Sequence, residues 1–320
     1  MYKKLSIMAM LLVSSGISMA ISTTNGSGFI LATPETIYET GYATLGTLNE
    51  RKGNFVNISK DIQMWTRIYG RYLEQTGKVR TKYDSSLVGV SVGVEKIKEN
   101  NHTGIYLSYT GNRAEMNVKR KSTDPYEYDG LVNSHGLSLG LTHTRYREDG
   151  AYIDLVGQVT YNIHNIYNTS NVYVSNTRGW GLVLSSEAGK PYYFKENKYI
   201  LEPQAQIIYQ MNKTFGVNID TNEVTFDTKH GLRGRVGVRV MDAKQNYYGL
   251  ANLWVDFTND TSINIENDNL QESYDKMWLE LGIGGQREVK KDTYLYADAR
   301  IEKGLNRFGA KGTIGIKKSW

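Results

Sequence analysis

Val88-Gly89-Val90-Ser91-Val92-Gly93-Val94 sets four valines on one side of an extended chain and glycine or serine on the other. Leu232-Arg233-Gly234-Arg235-Val236-Gly237-Val238-Arg239-Val240 repeats the alternation with a harder contrast, apolar residues against Arg233, Arg235 and Arg239. A period of two with one apolar and one polar or charged face describes strands between two different solvents. In a soluble sandwich the arginines would face water. In a transmembrane barrel they would line the lumen, with the valines against lipid.

Outward from these two stretches, the same alternation recurs in twelve segments between residue 61 and Trp320. The first pairs Ile62, Met64 and Ile68 with Gln63, Arg67 and Arg71; the longest sets Ile153, Leu155, Val159, Tyr161 and Ile163 against Asp154, Gln158, Thr160 and Asn162. Connections after even segments read as short: 147–150, 242–246 and 287–293. After odd segments they read as long and polar at 113–134, 211–230 and 258–275, with a short exception near 304–307. Short turns on one side and longer loops on the other belong to outer-membrane barrels. Greek-key sandwiches have no reason to alternate loop length by parity. The expected fold is all-β, a 12-stranded antiparallel transmembrane β-barrel.

Composition agrees. The chain has no cysteine, 24 tyrosines, 32 glycines and only 4 prolines. Tyrosine populates interfacial girdles, glycine permits close strand approach, and proline would interrupt ladders. Lys3 and Lys4, the apolar run Leu5–Ile17 and small residues ending at Ala20 read as a cleaved export signal. That run falls short of the roughly 20 residues that span a bilayer. Without Lys3 and Lys4 the net charge of +5 becomes +3, too mild to imply a nucleic-acid partner. The expected organisation is a signal peptide over 1–20, a flexible segment over 21–33, a linker over 34–60 and the barrel over 61–320.

Within the linker, Thr33-Pro34-Glu35 reads as a helix start, and Gly53 falls where a C-terminal cap would. A helix from Pro34 to Lys52 would be about 28 Å long, matching the hydrocarbon core. Its small residues Gly41, Ala43 and Gly46 would let it thread a narrow pore.

The chain from Pro34 to Trp320 resembles the translocator β-domain of autotransporters (type V secretion). Leu48-Asn49-Glu50-Arg51-Lys52-Gly53 is similar to the L-N-x-R-x-G end of that family's linker, and Met64-Trp65-Thr66-Arg67-Ile68-Tyr69-Gly70 to its first strand. Gly179-Trp180-Gly181, Ser186-Glu187-Ala188-Gly189, Leu201–Tyr209 and Gly231–Gly237 follow in the family's order. The resemblance implies a barrel that delivers an upstream passenger to the cell surface, with the linker helix left in the pore. It implies outer-membrane lipid, barrel-assembly machinery and periplasmic chaperones as partners, and a monomeric barrel in the outer membrane of a Gram-negative-type bacterium. Two positions depart from the pattern. Gly46 and Thr47 replace the Asn-Asn pair of self-cleaving members, so no intrabarrel cleavage is expected. Ile314, Ile316 and Trp320 form the C-terminal assembly signal, but Lys318 occupies a place usually held by an apolar residue.

The expected function is translocation or surface display of an N-terminal segment, with no recognisable passenger in these residues. The rival readings are a small passive pore for ions or small solutes and a loop-based surface adhesin. No catalytic site, metal or cofactor is expected. The five histidines, His102, His135, His143, His164 and His230, read as loop, strand-end or lipid-facing positions, and adjacent Ser134 and His135 would point to opposite faces. Candidate pore-lining or linker-contact residues are Arg67, Arg71, Glu187, Glu202, Arg233, Arg235, Arg239, Glu280, Asp298, Arg300 and Glu302. Both signs occur in similar numbers, which favours ion pairs filling a narrow lumen over a channel of one charge.

Overall fold

A computed structural model describes residues 28–54, 60–119, 123–168, 170, 172–196, 198–219, 222–258, 260–265 and 268–320. The expected signal peptide and most of the segment 21–33 lie outside the described residues.

Two helices, α1 (Gly28–Leu45) and α2 (Leu48–Lys52), precede β1 (Ile62–Thr76), β2 (Thr81–Lys98), β3 (Asn101–Val118), β4 (Glu127–Tyr146), β5 (Tyr152–Tyr167) and β6 (Tyr173–Gly189). Then come β7 (Tyr192–Phe194), β8 (Tyr199–Thr214), β9 (Val217–Ile219), β10 (Asn222–Phe226), β11 (Lys229–Asp242) and β12 (Tyr247–Asp256). The chain ends with β13 (Asp260–Ile265), β14 (Asp268–Ser273), β15 (Met277–Lys290), β16 (Thr293–Lys303) and β17 (Arg307–Ser319). Twelve of these form an antiparallel meander, β1 to β6, β8, β11, β12 and β15 to β17, in which each strand pairs with its neighbours in the series. Pairing of β1 with β17, from Gln63↔Ser319 to Gln75↔Arg307, closes the barrel. A closed sheet leaves no edge, so every strand's polar backbone is satisfied inside the bilayer.

Side chains alternate as a membrane wall requires. Val88, Val90, Val92, Leu137, Leu139, Leu141, Leu279, Leu281 and Ile283 are exposed on the outer face, while Ser91, Ser138, Thr142 and Glu280 are buried inside. Aromatic rings pack inward against glycine on the next strand. Trp65 opposes Gly93, and Tyr296 opposes Gly315; at either glycine a Cβ would overlap the ring. Tyr69–Gly89 and Tyr106–Gly140 repeat the arrangement. These glycines therefore seat rings flat on the wall, which pins strand register.

The expected loops are partly β-structure. Strands β3 and β4 extend so far that only 119–126 connects them, and 77–80 and 168–172 are as short as turns at the opposite end. The two longest connections carry β9, β10, β13 and β14, which form a separate four-stranded sheet. That sheet covers one mouth of the barrel. Val217, Val224, Phe226, Ile263 and Leu270 pack with Leu73, Tyr83, Ala114, Met116, Val132 and Ile166 of the wall and with Ile30, Leu31 and Ala32 of α1. Because longer loops face outward in such barrels, this capped mouth is the external one.

Helix α1 begins at Gly28, before the expected start, and carries Pro34 in its interior. Burial of Ile30, Leu31 and Ala32 under the cap stabilises the extra turns, which outweighs the local stop signal of the proline. The helix also breaks where continuity was expected. Gly46 adopts φ +66, and Thr47 starts α2 with a capping box, its side chain accepting from Glu50 N at 3.4 Å while Glu50 Oε2 accepts from Thr47 N at 2.8 Å. Gly53, at φ +67, caps α2 as its position implied.

Candidate functional site: the helix-filled lumen

Both helices lie inside the barrel, α1 running inward from the external cap. Ion pairs hold them at successive levels. Outermost, Lys229 donates to Glu35 and, at 2.6 Å, to Thr261 of the cap. One turn deeper, Glu39 meets three guanidiniums: Arg233 at 2.6 Å, Arg71 at 2.8 Å and Arg307 at 2.9 Å. Beside it Tyr42 donates to Tyr38 at 2.6 Å, and Arg233 stacks 3.6 Å from the Tyr42 ring centre.

At the C-terminal end of α1, Arg67 donates to the carbonyls of Thr44 and Leu45. Those carbonyls lack helical partners and carry the negative end of the dipole, so a guanidinium satisfies both needs. Helix α2 is fully embedded. Glu50 pairs with Arg300 at 3.4 Å and Lys311 at 3.0 Å, Arg51 with Asp154, and Lys52 with Glu95 at 2.7 Å. Leu48 N donates to Glu187 Oε2 at 3.0 Å, Tyr296 donates to Arg51 O at 2.5 Å, and Arg239 donates to Asn54 Oδ1 at 2.8 Å.

All eleven anticipated lumen residues turn inward. Some pair with each other across the wall: Arg71–Glu302 at 2.6 Å, Arg235–Glu187 at 3.1 Å, Arg239–Glu202 at 3.4 Å, Arg300–Asp298 at 2.7 Å and Arg300–Glu280 at 3.2 Å. Arg67 and Arg233 instead reach the helix, Arg233 also binding Asp256 at 2.7 Å. Sequence reasoning missed the partners on the helix itself, Glu35, Glu39, Glu50, Arg51 and Lys52, and their wall mates Glu95, Asp154, Lys229, Arg307 and Lys311. Ile314, Ile316 and Trp320 lie exposed on the outer face, and Trp320 exchanges two backbone hydrogen bonds with Ile62 at 3.0 and 3.3 Å.

One space beside α1, between Ala43, Arg67, Trp254 and Trp278, is a cavity of about 50 Å³. A roomier cavity of ≈ 590 Å³ opens at the inner mouth, lined by Leu48, His102, Tyr152, Glu202 and Arg239.

Two histidines differ from expectation. His135 and His164 lie well within β4 and β5, and His164 is buried inside the barrel with Nδ1 2.8 Å from Ser134 Oγ. The serine faces its neighbour across strands, not His135 beside it in sequence. His164 Nε2 has no hydrogen-bond partner among the described residues, so no third group orients this pair as a nucleophile and base would need.

The profile of the family described as "Autotransporter beta-domain" matches residues 64–300. The adhesin BmaC autotransporter of Brucella suis biovar 1 (strain 1330) is 24% identical over 86% of this chain and 9% of its own length. The probable autotransporter YcgV of Escherichia coli (strain K12) is 25% identical over 87% of this chain and 30% of its own. The chain thus spans less than a third of these relatives. Among solved structures, the translocator domain of autotransporter NalP from Neisseria meningitidis superposes with a TM-score of 0.71 at 11% identity, covering 90% of this chain and 98% of that one. The transport unit of the autotransporter AIDA-I from Escherichia coli gives 0.72 at 15% identity, covering 93% and 100%. These two likenesses concern the fold.

Proposed function

The chain belongs to the autotransporter β-domain family of outer-membrane translocation barrels, and from that premise we propose that α1 and α2 are the trailing part of a segment carried outward through this barrel. The observation that supports this reading most is the direction of the helix: its N-terminal end is buried under the external cap, and its C-terminal end leads into β1 at the inner mouth. Such a path requires the preceding chain to have entered the barrel from inside and left it outside. We assign the eleven lumen residues to seating this linker, with Ile314, Ile316 and Trp320 as the assembly signal. The barrel is a monomer delivered by periplasmic chaperones to the assembly machinery, after a signal peptide over 1–20 has been removed. The linker over 34–60 and barrel over 61–320 act as separate functional units. We assign no catalytic step to the barrel.

Against an open pore stand the two helices, which lie in the lumen and are tied to the wall through Glu39, Glu50, Arg51 and Lys52. The test is an epitope inserted between Asn25 and Gly26 in intact cells, with protease added outside. Labelling and cleavage of the tag are expected. A tag shielded until the outer membrane is opened would overturn the reading.

A further inference from the structure

The Glu39 level holds more positive charge on the wall than the wall itself neutralises. Among the described residues, the wall carboxylates that Arg71, Arg233, Arg307 and Lys229 meet there are Asp256 and Glu302; Glu35 and Glu39 of the helix supply the balance. Both oxygens of Glu39 are engaged: Oε1 accepts from Arg233 at 2.6 Å and Arg307 at 3.1 Å, Oε2 from Arg71 at 2.8 Å and Arg307 at 2.9 Å. Deeper, wall charges of both signs occur: Arg235–Glu187 and Arg239–Glu202 pair within the wall, while Asp154 and Glu95 meet Arg51 and Lys52 of α2.

Parts that stay behind when the helix leaves also hold these arginines in place. The Trp278 ring lies 4.0 Å from the Arg307 guanidinium and 4.7 Å from that of Arg233. Arg307 also donates to Gln75 Oε1 at 2.8 Å, and Arg233 to Asp256 Oδ2 at 2.7 Å. Guanidiniums fixed by stacking and wall contacts are preorganised for a planar carboxylate.

We propose that Arg71, Arg233 and Arg307 form a binding site for a small carboxylate or other monovalent anion, occupied by Glu39 in the plugged barrel and by free anions once the helix is gone. The second half of this proposal rests on the helix being a removable plug; the first does not. The ligand chemistry is read from Glu39, whose carboxylate occupies the site in the folded protein.

The first test uses the full chain with Glu39→Ala, which leaves a carboxylate-sized gap between the arginines. The unfolding temperature in detergent is compared in sodium formate and sodium chloride at equal ionic strength. Formate should raise it in the Glu39→Ala barrel and make no such difference in the wild type. Equal behaviour of the two barrels in formate overturns the site. Should Glu39→Ala not fold, a second measurement stands alone: planar-bilayer recording of a barrel lacking residues 30–54, with and without Arg233→Gln and Arg307→Gln. The double substitution should lower the chloride-to-potassium permeability ratio several-fold. A conductance that rises on helix deletion with a ratio unmoved by the arginines sinks the anion site and leaves the plug standing. A conductance that fails to rise sinks the plug and with it the occupation of the site by free anions.

Discussion

Glu272→Ala should loosen the external cap without unfolding the barrel. Glu272, at the end of β14, accepts hydrogen bonds from the backbone N–H groups of Val79 at 2.8 Å, Arg80 at 2.9 Å and Thr81 at 2.9 Å. It also accepts from the Thr81 hydroxyl at 2.9 Å, and Lys78 N donates to Ser273 O at 2.9 Å. One carboxylate therefore ties the cap sheet to the β1–β2 turn. A hydrogen bond to a charged group contributes about 1.5–3 kcal/mol net. Val79 is 58% exposed, so its freed amide regains water, whereas Thr81 is buried and loses its bonds outright; the loss is taken as about two bonds at the lower figure, about 3 kcal/mol. At 1.4 kcal/mol per tenfold change, the open population rises about 100-fold. The absence of native cysteine makes the assay direct. Ala114→Cys places a thiol on the β3 wall, fully buried beneath the cap, and Gln271→Cys gives the labelling rate of an exposed site. An impermeant maleimide added to intact cells should label the thiol at position 114 about 100-fold faster when Glu272 is replaced. A rate within about threefold of the parent would mean that the apolar cluster alone holds the cap shut, and the clasp argument fails.

Arg235→Glu would set a second carboxylate beside Glu187 in the buried lumen and take the donor from Gln204 Oε1. Breaking a buried pair this way costs about 3–5 kcal/mol, so the urea midpoint of the folded barrel should fall, and Glu187→Arg in the same chain should restore part of it. Wild-type stability and conductance in the single variant would remove this pair from any role. Gly140→Val should displace the Tyr106 ring from its seat and from its 2.7 Å hydrogen bond to Gln158, at about 1–3 kcal/mol for overpacking; slower appearance of the heat-resistant folded form on gels is the readout, and unchanged folding refutes it. Lys318 lies on the outer face, its amine 5.7 Å from the Trp320 ring centre. A lysine near the interface costs about 0–1 kcal/mol, so Lys318→Phe should hardly move stability but, if the C-terminal residues act as the assembly signal proposed above, should speed insertion into the outer membrane; equal insertion rates would show that the aromatic terminus suffices.

The strands were legible wherever lipid lay on one side. Above the membrane the faces exchange character: on β3 the outer residues become Arg113 and Glu115, while Ala114 and Met116 turn in beneath the cap. The outer apolar row that marked Ile105, Leu107 and Tyr109 ends there, and the stretch read as a loop. The inward direction of the lumen charges followed from parity alone, since alternation fixes the face of every residue in a strand. Their partners did not, because Glu39 gathers Arg71, Arg233 and Arg307 from three different strands across separations no local pattern encodes. The break at Gly46 was readable after the fact. Thr47-Leu48-Asn49-Glu50 spells a capping box, and a glycine before it is a natural place for φ > 0. Pro34 misled because packing under the cap, a tertiary contact, decided where α1 starts.

The order of charges along the two helices has a further consequence. From outside to inside the segment reads Glu35, Glu39, Glu50, Arg51 and Lys52, and the wall answers with cations around the first three and with Asp154 and Glu95 at the last two. The same segment threaded the other way round would bring its bases to Arg71, Arg233 and Arg307, and its acids to Asp154 and Glu95. Like charges would then meet at both ends in a poorly hydrated space, where repulsion is weakly screened. The lumen thus acts as a polarity filter: it distinguishes the two directions of one and the same peptide by the sequence of its signs, with no moving part.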